Sequence, residues 1–220
     1  MERSLQIIVS SAPYIFKGAV VTVELVVLVI LIGTPAALVV ALARNSRHSI
    51  IAVPVGFLSW AMRGLPPLVV LFFVYFVAPQ AGFDIDPFPA AVIGMTFYTT
   101  FYLAEAFRGG LAAVDDSQRL AVRALALPRG RAFFRVLLPQ ALPAIVPPYI
   151  SYTTEIVKDS ALAGSIAVPE MMGNASQLIM RTGRPFQILL FVGALYVVLD
   201  ALLLIAQAKA ETRWQTLQRH

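Results

Sequence analysis

Glu155, Lys158 and Asp159 lie close together in an otherwise apolar stretch and are the side chains of this sequence best suited to meet a polar solute. Ionisable groups in such a stretch face a cavity or one another. Lys158 can hold a carboxylate, and Asp159 or Glu155 an ammonium group. Two readings stand side by side here: a solute contact, or an internal ion pair that holds a helix bundle. Upstream, Arg63-Gly64-Leu65-Pro66-Pro67 interrupts a second apolar run, because proline lacks the amide donor and clashes with the preceding turn. That break either exposes backbone donors and carbonyls beside such a cavity or is a simple proline kink. A third constellation is basic: Arg119, Arg123, Arg129, Arg131 and Arg135 fall within residues 118–139, a stretch with no carboxylate of its own. Leu127-Pro128-Arg129-Gly130 punctuates it into two short helices. Ala121, Ala124, Leu125 and Leu127 would give the first of these an apolar face able to seat in a partner's groove. The plainer reading is a basic loop that fixes topology.

Several chemistries are excluded by composition. The chain has no cysteine, so it offers no disulfide, thiolate metal site or thiol nucleophile. Its two histidines, His48 and His220, fall in polar flanks, so no apolar stretch carries a catalytic or metal-binding histidine pair. No glycine-rich loop ends in Gly-Lys-Ser/Thr, so nothing here cradles ATP phosphates. The expectation is a non-enzymatic chain with no catalytic residue, metal or cofactor. The net charge of +5 raises nucleic-acid binding, but the arginines sit in short segments between apolar runs. Positive-inside topology accounts for them, and no nucleic-acid partner is expected.

These residues have to be positioned in a lipid bilayer. With 59% hydrophobic and 13% charged residues over 220 positions, the chain is more apolar than a soluble core of this size would bury. The fold class expected is an all-α integral membrane protein with one transmembrane domain over residues 1–220. Five spans are read at about 18–43, 50–78, 88–107, 141–167 and 186–208. The first is too long for a signal-peptide core and is read as a retained helix. Arg44, Arg47 and His48, the arginines of the loop at about 109–139, and Lys209, Arg213 and Arg219 share one side, which is then the cytoplasm. The N-terminus, the acidic connection at 82–87 and the segment at about 174–185 fall outside, and the C-terminus is cytoplasmic. Asp84, Asp86 and Glu170 are then outward-facing charges, read foremost as solvated surface, with contact to an external protein as the alternative.

Five stretches in order carry a family resemblance. They are Arg63-Gly64-Leu65-Pro66 with Leu71-Phe72-Phe73-Val74-Tyr75-Phe76, then Tyr102-Leu103-Ala104-Glu105-Ala106-Phe107-Arg108-Gly109-Gly110, then the basic loop, Lys158-Asp159-Ser160-Ala161-Leu162, and Arg184-Pro185-Phe186. Together they resemble the permease subunits of ATP-binding-cassette importers that take up polar amino acids in bacteria. The family's loop reads Glu-Ala-Ala, three residues, Gly, nine residues, Ile, any residue, Leu-Pro. The same spacing here gives Leu120-Ala121-Val122, Ala126 and Val136-Leu137-Leu138-Pro139, with Leu120 in place of the acid and Ala126 in place of the glycine.

The resemblance implies a half-channel in the bacterial inner membrane, docked on separate ATPase subunits and fed by an extracytoplasmic solute-binding protein. The ATPase contact falls on Leu120, Ala121, Val122, Ala124, Leu125, Ala126 and Leu127. Substrate-path candidates are Gly64, Leu65, Tyr98, Thr100, Phe101, Glu155, Lys158 and Asp159. The bulk of Leu65, Tyr98 and Phe101, where the family carries small polar residues, favours a heteromeric permease pair whose partner holds most of the binding site, with a homodimer as the alternative. The rival classes are a channel or scaffold subunit without ATP-coupled flux, and no glycine-rich selectivity filter stands out.

Overall fold

The computed structural model describes residues 2–218, with side chains described for 11–209. Arg213, Arg219 and His220 therefore lie outside the described side chains. Among the described residues every regular element is helical.

α1 (Glu2–Arg44) shows why this chain belongs in lipid. Residues 15, 18, 22, 25, 29, 33, 37 and 41 are all buried, a stripe at helical spacing along one side. The other side is also largely apolar, with Phe16, Val20, Val27, Leu31 and Val39 exposed, and among residues 18–43 it carries a single charge, Glu24. A soluble helix would be polar there. Small residues at Gly18, Gly33, Ala37 and Ala41 let neighbouring helices come close, the usual membrane packing device.

α2 (Ser49–Gly64) stops where the sequence predicts, and the stop is a full break rather than a kink. Pro66 is extended (φ −61, ψ 137) and Pro67 opens α3 (Pro67–Phe72). The helix continues through a π turn, Phe73–Val77, and a 3-10 turn, Ala78–Ala81. Gly82 ends it at φ 88, a conformation suited to glycine. α4 (Pro87–Ala112) is followed by α5 (Asp116–Ala124) and α6 (Arg129–Ala132). A π turn, Phe133–Leu137, then leads into α7 (Leu138–Asp159).

Two expectations change in the C-terminal half. The fourth span, read as one helix over 141–167, is α7 followed by a 3-10 segment, Ser160–Ile166, closed by Ala167 at φ 64. The segment at about 174–185, read as a connection, belongs largely to a helix, α8 (Met171–Thr182), closed by Gly183 at φ 64. α9 (Pro185–Gln218) is the last element.

Among the described residues three helical stretches are long and apolar enough to cross a membrane, over 11–44, 129–166 and 185–209, and a fourth results if the two sides of the Leu65-Pro66 break are joined. α4 is long enough, but its run of Thr and Tyr with Glu105 and Arg108 keeps it out of that set. The chain divides into two compact units, one of 1–32, 65–98 and 153–220, the other of 33–64 and 99–152. The first is built on Leu25, Val29, Leu71, Met95, Ile156 and Ile166, with a second cluster of Ile15, Met171, Ile188 and Val192. The second unit packs around Ala37, Leu103, Phe107, Ala141 and Ile145.

Candidate functional site: a basic docking loop and a lysine-lined cavity

The loop expected at about 109–139 contains α5, α6 and the π turn. Asp115 caps α5 by accepting from the Ser117 amide at 2.7 Å. The hydroxyl of Ser117, and then its amide, hold the Asp115 carboxyl below its ordinary value. Leu125 and Ala126 end the helix. The amides of Ala126 and Leu127 donate to the carbonyls of Arg123 and Val122, with Ala126 at φ 48. This paired closure normally uses glycine at the left-handed position. The family's glycine falls on Ala126, so the replacement keeps the backbone turn.

α5 is tethered by its polar side. Arg119 donates to the Leu111 carbonyl and lies 3.6 Å from Asp116, and Gln140 donates to Gln118 at 3.2 Å. Its apolar residues are left outside: Leu120 is 62% and Leu125 71% exposed, and Ala121 and Ala124 are exposed beside them. Val122 and Leu127 are half-buried against the body of the protein. An amphipathic helix with its apolar face turned to solvent offers a surface to a partner.

The same unit holds a feature that sequence reasoning passed over. Glu105 on α4 receives Arg44 from the end of α1 and Arg108 from its own helix, and Arg63 from the end of α2 lies 3.7 Å away. Tyr102, one turn earlier, donates to the Arg63 carbonyl at 2.9 Å. The residue beside the chain break is thus fixed by both its side chain and its carbonyl. Gly64 and Leu65 are exposed at that break, and a Cβ on Gly64 would meet nothing within 4 Å. Thr100 and Phe101 are buried among helix contacts.

In the first unit Tyr98 is half-buried on α4. Glu155, Lys158 and Asp159 occupy the end of α7, with Glu155 and Lys158 exposed and Asp159 half-buried. No ion pair within 4.0 Å joins Lys158 to either carboxylate among the described residues. Lys158 instead lines a cavity of about 290 Å³ with Ala161, Met172, Leu189, Val192, Gly193 and Tyr196. One ammonium in a largely apolar wall suits a solute that carries a carboxylate or another acceptor.

Glu170 is the main correction to the sequence reading. It is not an outward charge but is 0% exposed, the N-cap of α8, accepting from the amides of Met172 and Gly173 at 2.9 and 2.5 Å. Tyr196 donates to it at 2.9 Å and Thr22 at 3.4 Å. Four donors satisfy the carboxylate, which is what permits its burial.

Comparison with known proteins agrees with this architecture. The family model described as "binding-protein-dependent transport system inner membrane component" matches residues 33–216. An arginine transport system permease protein of Bacillus subtilis (strain 168) is 32% identical over 87% of this chain and 88% of its own length. An octopine transport system permease protein of Rhizobium meliloti is 31% identical over 84% of this chain and 80% of its own. Among solved structures, an amino acid ABC transporter with histidines has a TM-score of 0.84 and 28% identity, covering 94% of this chain and 96% of that one. An inward-facing methionine ABC transporter, at 19% identity and a TM-score of 0.73, shares the fold. On these matches and the five sequence stretches behind them, the chain belongs to the binding-protein-dependent transport system inner membrane components, as an amino-acid ABC importer permease.

Proposed function

We propose that this permease forms half of the translocation path for polar amino acids or related solutes, with flux driven by ATP hydrolysis in separate subunits. The observation that carries the reading is the exposed apolar face of α5, formed by Leu120, Ala121, Ala124 and Leu125 at the family's loop position. An ATPase groove seated there would bury that face and transmit nucleotide-driven motion through the polar tethers of α5 to the helices behind it. Five spans cross the inner membrane in this proposal, with the N-terminus outside, the C-terminus in the cytoplasm, and α4 as the third span. α4 can serve because its polar run faces protein rather than lipid: Thr99 and Thr100 are both buried.

The solute passes Lys158, with Glu155, Asp159, Gly64, Leu65, Tyr98, Thr100 and Phe101 as the further path candidates. Burial of Thr100 and Phe101 fits a subunit that contributes less than half of the binding contacts, which favours a heteromeric pair over a homodimer. Asp84 and Asp86, both exposed, remain available to an extracytoplasmic binding protein. The test is uptake of a panel of labelled amino acids by the reconstituted complex with binding protein, with and without ATP. ATP-dependent accumulation of a panel member supports the reading. ATP-independent equilibration would instead support a channel, and absence of flux from a complex without an ATPase a scaffold.

A further inference from the structure

The buried carboxylate of Glu170 does more than cap a helix. Its four donors come from three elements: the Thr22 hydroxyl from α1, the Met172 and Gly173 amides from α8, and the Tyr196 hydroxyl from α9. Thr22 also accepts from the Met171 amide at 3.2 Å, so each orphan amide of the first turn of α8 has a partner. The Met172 amide and the two hydroxyls meet Oε2 and the Gly173 amide meets Oε1; an ionised carboxylate is acceptor-only at both oxygens, whereas a glutamine would turn an NH2 group toward the donors at one of them. Glycines clear the space around it. A Cβ on Gly164 would stand 2.8 Å from Oε1, and one on Gly18 would stand 2.8 Å from the Glu170 and Met171 backbone.

Two of the groups it holds, Met172 and Tyr196, line the cavity that Lys158 enters. α8 itself is a 12-residue rod with a left-handed residue beyond each end, Ala167 and Gly183, both at φ 64. Its angle is therefore set by what grips it between those turns. Asn174 adds a grip one turn on, donating to the Tyr14 carbonyl at 2.9 Å, and Tyr14 donates to Gln177 at 2.7 Å.

We propose that Glu170 is a positioning residue for transport, clasping α1, α8 and α9 so that Met172 and Tyr196 stand as the wall of the Lys158 cavity. This rests on the transport reading above, but the wall can be tested without knowing the solute. Because the chain has no cysteine, Gly193→Cys places its sole thiol in the cavity, where a Cβ meets nothing within 4 Å. In the full complex in detergent, the rate of modification of this chain by N-ethylmaleimide is read by mass. Tyr196→Phe removes one donor and keeps the ring. Glu170→Asp keeps the charge and the helix cap but withdraws it from Tyr196 and Thr22.

Both substitutions are expected to change the modification rate at least about threefold. Each should also raise the KM for imported labelled L-arginine or L-glutamine about tenfold, with maximal uptake within about twofold, the size of one charge-assisted hydrogen bond. Modification at the parental rate in both backgrounds overturns the proposal. So does a fall in yield and melting temperature with modification rate and KM unmoved, which marks a purely structural residue. Should Glu170→Asp not assemble, Tyr196→Phe decides alone. Import of neither amino acid by the unsubstituted complex counts against the transport reading as posed, while the modification rates still decide the clasp.

Discussion

Gly18→Ala tests the packing of α8 where the geometry gives least freedom. The added Cβ would lie 2.8 Å from the carbonyl carbon and oxygen of Glu170 and 2.8 Å from the Cα of Met171, against an ordinary contact of 3.4 Å or more. All three are main-chain atoms, so no side-chain rotamer relieves the clash. The start of α8 would have to retreat by about 0.6 Å, the difference of those two distances. That movement strains the Thr22 and Tyr196 hydrogen bonds to Glu170, the first already at 3.4 Å. Overpacking of this kind costs about 1–3 kcal/mol, and weakening of the hydrogen bonds adds about 1 kcal/mol. Replacing glycine by alanine inside a helix returns about 1 kcal/mol. The net is a loss of about 2 kcal/mol, or about 4–8 °C in melting temperature for a chain of this length. The assay is thermal aggregation in detergent followed by size-exclusion chromatography, with Gly193→Ala as control, since its Cβ meets nothing within 4 Å. The control should melt at or slightly above the parent. If Gly18→Ala does the same, the close approach of α1 and α8 is refuted.

Ala121→Glu with Ala124→Glu should leave melting unchanged, both sites being exposed, yet weaken ATPase co-purification at least about tenfold because two carboxylates would enter an apolar groove. Ala126→Gly, which relieves about 1–2 kcal/mol of left-handed strain against about 0.4–1 kcal/mol of added unfolded-state entropy, should be neutral to stabilising by about 1 kcal/mol in the same melting assay. The Asp115 cap has a lowered pKa in the folded protein, so its contribution is full above the ordinary carboxylate range and is lost as pH falls through the folded value. Hydrogen exchange at the α5 amides should therefore separate the parent from Asp115→Asn above the ordinary carboxylate range, and the two should converge as pH falls through the folded value. Cysteines at Ser46 and Ser117 should be labelled from the cytoplasm and one at exposed Thr182 from outside, with labelling of position 117 from outside reversing the topology.

Features encoded by local chemistry were readable from the sequence. The break at Leu65-Pro66 follows from proline's missing donor, and the turn between α5 and α6 from Pro128, which caps α6, whereas Gly130 falls inside α6. α1 and α9 were legible because apolar runs of that length have few other uses. α8 was not, since it is short and its buried face is carried by Met171, Gly173, Asn174 and Ala175, two of them small and one polar. Glu170 was misread for a related reason. Between Pro169 and Met171 it looks like a solvated turn, and the groups that make it buriable lie 148 and 26 positions away, at Thr22 and Tyr196. The change of helix type within the fourth span was not legible, because Ser160–Ile166 is apolar enough to continue an α-helix and nothing in its composition marks the tightening to a 3-10 segment. The departure at Ala126 was visible as a substitution, but its meaning depends on φ, which only the structure supplies.

Glu105 and Glu170 show how the same side chain is accommodated in two ways, each within its own unit, and why their loss should differ. Glu105 is met by the guanidinium groups of Arg44, Arg63 and Arg108, whose side chains keep 18%, 32% and 36% of their exposure. Partial access to water screens such a cluster, so removing the carboxylate leaves arginines that can turn outward and be solvated. Glu170 is met only by neutral donors and has no exposure. Removing it would strand two amides and two hydroxyls with no water to replace it, at the desolvation cost of each. The donors at Glu105 are long, flexible side chains, whereas half of those at Glu170 are backbone amides fixed at a helix start. The first arrangement can lose or exchange one arginine without stranding a backbone group. The second holds α8 in one position until the carboxylate itself is displaced, which makes it the stiffer of the two and the better suited to setting the shape of a cavity wall.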